Sequence, residues 1–238
     1  MIRLENLSFA YQKGKPVWPA IDLEIPTNRR MALLGAAESG KSTLVNLLAG
    51  VADSQQGRIE RFARLSFPAG YQRGFKFSNT AKQNAVFAAK IYDADPEEVL
   101  HFVCTLTALG DQLDRPMRDL SVPARLSFAY LLTYALPFDT YLFDNIIGPG
   151  VPGTRELWEQ LYAARTRDSG AIIATRQPKL AEQLCDCALV LGPQGAVYYD
   201  DIKDGLAAFA EVRAAAQAAS GAYTTATGTV TPLVKVGR

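Results

Sequence analysis

The chain has 238 residues, 48% hydrophobic and 21% charged, with a formal net charge of +1 at pH 7; this suits one large domain, or a core with a smaller inserted subdomain, and needs no stapling. Near-neutral charge without a basic run or an aromatic-interleaved basic stripe argues against electrostatic nucleic-acid binding, so no nucleic-acid partner is expected. Cys104, Cys185 and Cys187 lack metal-ligand spacing, the charged start Met1-Ile2-Arg3-Leu4-Glu5-Asn6 is unlike a signal peptide, and the longest apolar stretch, Leu126 to Phe138, is too short to span a bilayer.

Two strand-like pieces, Ile2 to Phe9 and Ile21 to Ile25, flank the turn-rich Gln12-Lys13-Gly14-Lys15-Pro16 and predict a small antiparallel layer. Arg29 to Leu34 then reads as a buried strand, and Ser42 to Ala49 as a helix ended by Gly50. Between them stands Gly35-Ala36-Ala37-Glu38-Ser39-Gly40-Lys41-Ser42, a complete G-x-x-x-x-G-K-[ST] loop in the strand, loop, helix order it requires. Backbone N–H groups of such a loop and the positive end of the helix cradle the α- and β-phosphates. Lys41 reaches the β- and γ-phosphates, and the Ser42 hydroxyl is a ligand for Mg²⁺. The implied ligand is a nucleoside triphosphate.

From Thr80 to about Tyr134 the pattern turns helical, with Ala85, Ala88, Ala89 and Tyr92 on one face and Pro96 opening a helix over Glu97 to Leu109. The strand Thr140 to Asp144 resumes the core, followed by a helix from Thr154 to Arg167, the strand Ala171 to Thr175, a helix to Cys185, and a hairpin joining Ala188–Leu191 to Ala196–Tyr199 through Gly192-Pro193-Gln194-Gly195. Alternating strands and helices predict an α/β fold with a mostly parallel sheet. Residues 204–219 form an Ala-rich helix candidate, and the small, polar, aperiodic stretch from Ser220 to Arg238 is expected to be a mobile tail. The expected division is a nucleotide-binding core over 1–79 and 138–209, a helical subdomain over 80–137, and a C-terminal helix end and tail over 210–238.

This order of motifs resembles the ATP-binding subunit of an ABC transporter, in particular its capsule-polysaccharide export branch, over roughly residues 1–209. The phosphate loop carries the resemblance, with Ser66-Phe67-Pro68-Ala69-Gly70 followed by Thr80 and Asn84, and Phe138-Asp139-Thr140-Tyr141-Leu142-Phe143-Asp144. It implies a P-loop NTPase fold with a RecA-like core, and ATP with Mg²⁺ as ligands. It also implies a dimer in which each ATP lies between the phosphate loop of one subunit and the signature helix of the other. Carried over, it makes Tyr11 the aromatic that stacks on adenine, Gly35 to Thr43 the phosphate-binding stretch, and Ser121 the signature serine. Ser42, Asp144 and Gln72 become the Mg²⁺ group, Gln72 lying one residue off the common spacing to Thr80 and reading equally as a surface-loop residue. These assignments are chemically sensible, since adenine offers a π-face and Mg²⁺ prefers hard oxygens.

Four positions depart from the family pattern. Asn145 stands where the family has a catalytic carboxylate, and an amide orients water but cannot take its proton. Arg176 replaces the switch histidine; it offers donors alone. In Leu120-Ser121-Val122-Pro123-Ala124, Val122 adds a Cβ branch and Pro123 removes a donor where small residues are expected, leaving a helix start with Ser121 as N-cap. Gly148-Pro149-Gly150-Val151 replaces a loop ending in aspartate. All four serve γ-phosphate chemistry or cross-subunit contact. The sequence therefore predicts a nucleotide-binding subunit of a polysaccharide exporter with weak or absent hydrolysis, peripheral to the cytoplasmic face of the inner membrane. Its expected partners are a membrane-spanning subunit and a second ATP-binding subunit. The alternative is a pseudo-ATPase of the same fold acting as an ATP-switched regulator or scaffold.

Overall fold

Unbroken apolar runs favour strands covered on both faces, and three of them form the centre of the molecule. They are β5 (Arg30–Gly35), β9 (Gly170–Thr175) and β10 (Cys187–Gly192). The computed structural model describes residues 1–12, 15–106 and 110–226, with the side chains of 12, 15 and 219–226 outside that description. The remaining elements are β1 (Ile2–Ser8), β2 (Ala10–Gln12), β3 (Lys15–Pro16), β4 (Ile21–Ile25), α1 (Lys41–Leu48), β6 (Gln56–Arg61), β7 (Leu65–Pro68), α2 (Ala81–Ile91), α3 (Pro96–Leu106), α4 (Val122–Ala135), β8 (Thr140–Asp144), α5 (Arg155–Arg165), α6 (Pro178–Leu184), β11 (Gly195–Tyr199) and α7 (Ile202–Ala226).

The large sheet has the order β11-β10-β5-β9-β8-β7, parallel except for the β10–β11 hairpin. Alternate residues of β5 face opposite ways, as strand geometry requires. Met31 and Leu33 join a core with Leu44, Val45 and Leu48 of α1 and with the antiparallel sheet β4-β1-β6. Ala32 and Leu34 face the other core, built by α4, α5 and α7. The phosphate loop therefore leaves the middle of the sheet, with β9 on one side and β10 on the other.

Stacked and edge-on rings fill the second core: Tyr134 packs on Tyr141, Phe143 and Trp158, and Phe143 on Tyr162. Each buried tyrosine hydroxyl here finds a backbone carbonyl, as burial demands. Tyr134 donates to Ile147 O (2.7 Å), Tyr130 to Ile146 O (3.2 Å), and Tyr162 to Leu184 O (2.8 Å). The first two pin the segment after Asp144 to α4. Burial raises the Tyr130 and Tyr134 hydroxyls well above the usual tyrosine range, which keeps them protonated as donors.

Three differences from the sequence reading have physical reasons. The antiparallel layer has a third strand, β6, which pairs with β1 from Ile2↔Arg61 to Ser8↔Gln56. Its side chains are largely exposed and lack an alternating pattern, so backbone pairing alone reveals it. β7 likewise forms a strand where the sequence shows a motif alone, its Leu65 and Pro68 pairing with Thr140 and Leu142. Helix α7 continues past Ser220 to Ala226 instead of ending at the aperiodic stretch, since Ala-rich sequence propagates a helix without an apolar period. The expected tail over 227–238, the turn at 13–14 and the end of the predicted helix at 107–109 lie outside the described residues.

Candidate nucleotide site

Gly35 ends β5 and Lys41 opens α1, so the sheet and the helix fix both ends of the loop between them. Its curvature depends on backbone that side chains rarely adopt. Glu38 has φ 60° and Gly40 φ 84°. A Cβ on Gly40 would stand 2.1 Å from the Trp18 ring, and one on Gly35 2.4 Å from Ser39 Oγ. Gly40 therefore needs glycine for both space and conformation, while at Gly35 an added Cβ would require the Ser39 hydroxyl to turn away and would crowd Leu191 O at 3.1 Å. Ala36 is half-buried, Ala37, Glu38 and Ser42 are exposed, and Thr43 is buried under the first turn of α1.

Lys41 is buried and curls back over the loop, Nζ donating to Gly35 O (2.9 Å), Ala36 O (2.7 Å) and Ser39 Oγ (3.2 Å). Burial pushes its ammonium below the usual lysine range and the Arg176 guanidinium acts in the same direction, while the Asp144 carboxylate opposes them. Lys41 at the start of α1, Asp144 at the end of β8 and Arg176 just beyond β9 thus share one electrostatic environment at the carboxyl ends of the strands, where open α/β sheets hold ligands.

Tyr11 lies on the other side of the loop. The residue is 74% exposed, its ring stands edge-on to Phe9 at 5.1 Å, and its hydroxyl shares a hydrogen bond with Thr43 Oγ1. A flat aromatic face is thereby anchored beside α1 and left open to solvent.

Asp144 ends β8. Its Oδ1 accepts from Asn145 Nδ2 at 3.2 Å, so the amide that replaces the expected carboxylate leans on the neighbouring acid. Asn145 has φ 75° and donates its backbone N–H to Ala174 O at 2.7 Å. Asparagine tolerates this left-handed conformation better than most residues. Arg176, just beyond β9, is exposed. A cavity of about 620 Å³ brings Gly35, Ala36 and Ala37 together with Asn145 and Arg176, within the range of about 300–1,000 Å³ for small-molecule sites. Tyr11, the loop residues 38–43, Asp144, Gln72 and Ser121 do not line it. Gln72 is half-exposed in the loop after β7, where its carbonyl accepts from Phe75 N–H at 3.1 Å. Ser121 is the N-cap of α4, its Oγ accepting from Ala124 N–H at 3.3 Å, with Pro123 in the first turn and Val122 62% exposed.

Two features of the site went unread in the sequence. Trp18 packs on Gly40 from a strand-free segment whose proximity no local pattern announces. Arg213 and Gln217 of α7 complete the wall of the cavity. Their i, i+4 spacing after buried Phe209 is the one signal that could have found them.

The donor set fits a triphosphate and Mg²⁺: the glycine-dependent loop, a lysine with its ammonium over the loop, a solvent-facing serine hydroxyl, and a strand-end carboxylate. The ABC transporter family matches residues 19–128, a span that ends before Asp144. ATP-binding protein BexA of Haemophilus influenzae is 31% identical over 194 residues, covering 80% of this chain and 89% of its own. The capsule polysaccharide export ATP-binding protein CtrD of Neisseria meningitidis serogroup B is 28% identical over 205 residues, covering 85% and 95%. Among solved structures, the dimeric post-hydrolysis ATP-binding cassette MJ0796 with ADP and Pi superposes with a TM-score of 0.67 at 15% identity, covering 85% of this chain and 99% of the other.

Proposed function

This chain belongs to the ABC transporter family of ATP-binding subunits, and we propose that it is the nucleotide-binding subunit of a capsule-like polysaccharide exporter that binds ATP and hydrolyses it weakly or not at all. The observation that carries the reading is the contrast inside one site. A complete phosphate loop holds a buried lysine over its carbonyls, while the adjoining cavity presents Asn145 and Arg176. Its relatives include ATP-binding subunits of capsule polysaccharide exporters.

In this reading Tyr11 stacks on adenine, residues 35–43 hold the phosphates, and Ser42 and Asp144 hold Mg²⁺, with Gln72 as a further ligand. Mg²⁺, when bound, neutralises charge on the phosphate oxygens. Asn145 orients water and Arg176 holds negative charge, but neither group accepts the water's proton, which removes general-base assistance. Ser121 faces the ATP of a second ATP-binding subunit, where Val122 and Pro123 weaken the donor array.

The helical segment over 80–137 is the side that meets the membrane-spanning partner. A cavity of about 290 Å³ lies between Ala49–Val51 and α2, lined by Phe67, Phe75, Phe87, Ile91 and Tyr92. Phe87 and Ile91 are more than half exposed. Tyr71 and Gly74, on either side of the Gln72-Arg73 pair, also line this cavity. No helix among the described residues is long and apolar enough to cross a membrane; in the exporter reading the chain attaches peripherally through its membrane-spanning partner, on the cytoplasmic face of the inner membrane.

Affinity capture from native membranes tests the reading. The exporter assignment predicts recovery of a polytopic membrane protein with the wild type and its loss with Phe87→Asp combined with Ile91→Asp. Recovery of soluble proteins alone, unaffected by those substitutions, would favour the scaffold alternative.

A further inference from the structure

Helix α7 is anchored at one end of the sheet and delivers side chains to the other. Ile202 N–H donates to Asp186 O at the start of β10, and Gly205 sits against Ala188, where a Cβ would come within 2.3 Å of the Ala188 methyl. Further along, Val212 lies beside Gly192, at the far end of β10. The register is consistent: eight helical residues from Gly205 to Arg213 advance ~12 Å, and four strand residues from Ala188 to Gly192 advance ~13 Å. Arg213 therefore arrives level with the carboxyl ends of β5 and β10, where the phosphate loop begins.

Phe209, Arg213 and Gln217 recur at i, i+4 and i+8, so they share one helix face. Phe209 is buried in the core and fixes the rotation of the helix. Arg213 and Gln217 continue that face into the 620 Å³ cavity, opposite Gly35, Ala36 and Ala37 and alongside Arg176. Neither arginine makes an ion pair among the described residues. Two guanidinium groups in a cavity walled by the first residues of a phosphate loop form a receptor for a multiply charged phosphate oxyanion. Guanidinium is suited to that role because its forked donors match phosphate oxygens in pairs.

We propose that Arg213 binds the terminal phosphate of a nucleoside triphosphate, reaching the phosphate loop from α7 and acting beside Arg176, so that the site holds ATP more tightly than ADP. The proposal rests on ATP binding at the phosphate loop and adds a ligand from an element that the phosphate-loop motif does not include. Its consequence is selectivity without turnover: a site lacking a general base still distinguishes occupied by ATP from occupied by ADP, through the extra charge that the two arginines meet.

Titration calorimetry of Mg-ATP and Mg-ADP against the full chain tests this with the wild type, Arg213→Gln, Arg213→Lys and Lys41→Ala. Arg213→Gln is expected to weaken ATP by about tenfold or more, the scale of a charged hydrogen bond, and ADP by less than about threefold. Arg213→Lys, which keeps the charge without the fork and preserves helix propensity, is expected to fall between. Arg213 is exposed, and matched circular dichroism spectra verify that the variants are folded. Unchanged ATP affinity in both Arg213 variants, or equal losses for ATP and ADP, would overturn the proposal while leaving the phosphate-loop reading intact. Equal ATP affinity for wild type and Lys41→Ala would overturn both.

Discussion

The two halves of the nucleotide site obey different chemical logic. On the side of the loop and α1, each feature serves to hold: Gly35 and Gly40 occupy positions where a Cβ collides, Lys41 lies over two loop carbonyls, and Tyr11 is tied to Thr43 with its face open. On the side reached from β8 and β9, Asn145 and Arg176 stand where the family resemblance implies a carboxylate and a histidine, and Val122 and Pro123 of α4 alter the segment that the resemblance assigns to the site of a second subunit. Binding depends on backbone shape and survives as long as the glycines do. In the proposed reading turnover depends on a few side-chain functional groups, whose replacement leaves the backbone of the loop unchanged.

The largest expected effect erases the difference between the two sides. Asn145→Glu, Arg176→His, Val122→Ser and Pro123→Gly together are expected to raise ATP turnover measurably above the wild type, since general-base assistance is worth a factor on the order of 10²–10⁴. Asn145→Glu alone is expected to recover little. Residue 145 has φ 75°, a conformation that costs glutamate more than asparagine, on the order of 1–3 kcal/mol, and Arg176 would pair with the new carboxylate. Phosphate release assays on the single and quadruple variants check this; full recovery in the single variant would show that the other positions are neutral.

A change that damages the holding side instead is Gly40→Ala. It combines a left-handed φ with a clash against the Trp18 ring and is expected to cost about 2–4 kcal/mol of stability, read as a fall in thermal midpoint together with lost ATP binding. Tyr11→Ala separates affinity from stability. With the residue 74% exposed, its removal is expected to cost about 1–2 kcal/mol in ATP affinity, the scale of base–aromatic stacking, with almost no shift in thermal midpoint.

The smallest effect lies away from both sides. Arg30 holds the Asp186 carboxylate through Nε to Oδ2 at 2.9 Å and Nη2 to Oδ1, and this hydrogen bonding places the acid below its usual range. A carboxylate lowered in the folded state contributes stability that is present above its unfolded pKa, near 4, and is lost as the pH falls through the lower folded value. Asp186→Asn is thus expected to cost less than about 1 kcal/mol at pH 7, since the pair is well exposed. Urea titrations should show the gap between wild type and variant closing as the pH is lowered below 4.

Legibility in the sequence followed the same line as the chemistry. The phosphate loop, β5, α1 and the strand ending at Asp144 were readable because their signals are contiguous: an apolar run, a fixed glycine spacing, a capping serine at 121. The departures at 145, 176 and 122–123 could be read for the same reason, each lying next to a recognisable strand or helix start. Contacts made across the chain could not. Trp18 meets Gly40, and Arg213 faces Gly35, through tertiary packing with no local period. Strand β6 escaped because Gln56, Gly57 and Arg58 expose their side chains and pair through the backbone. The extent of α7 escaped because alanine-rich helix and small, polar coil look alike without an apolar stripe.

The most direct test of binding without turnover measures both quantities on one preparation: Mg-ATP retained by the protein and phosphate released from it, for wild type and Lys41→Ala side by side. Wild type is expected to retain ATP and release phosphate barely above background, and Lys41→Ala to do neither. Rapid phosphate release by the wild type, abolished in Lys41→Ala, would contradict the account and show that a group other than residue 145 activates the water.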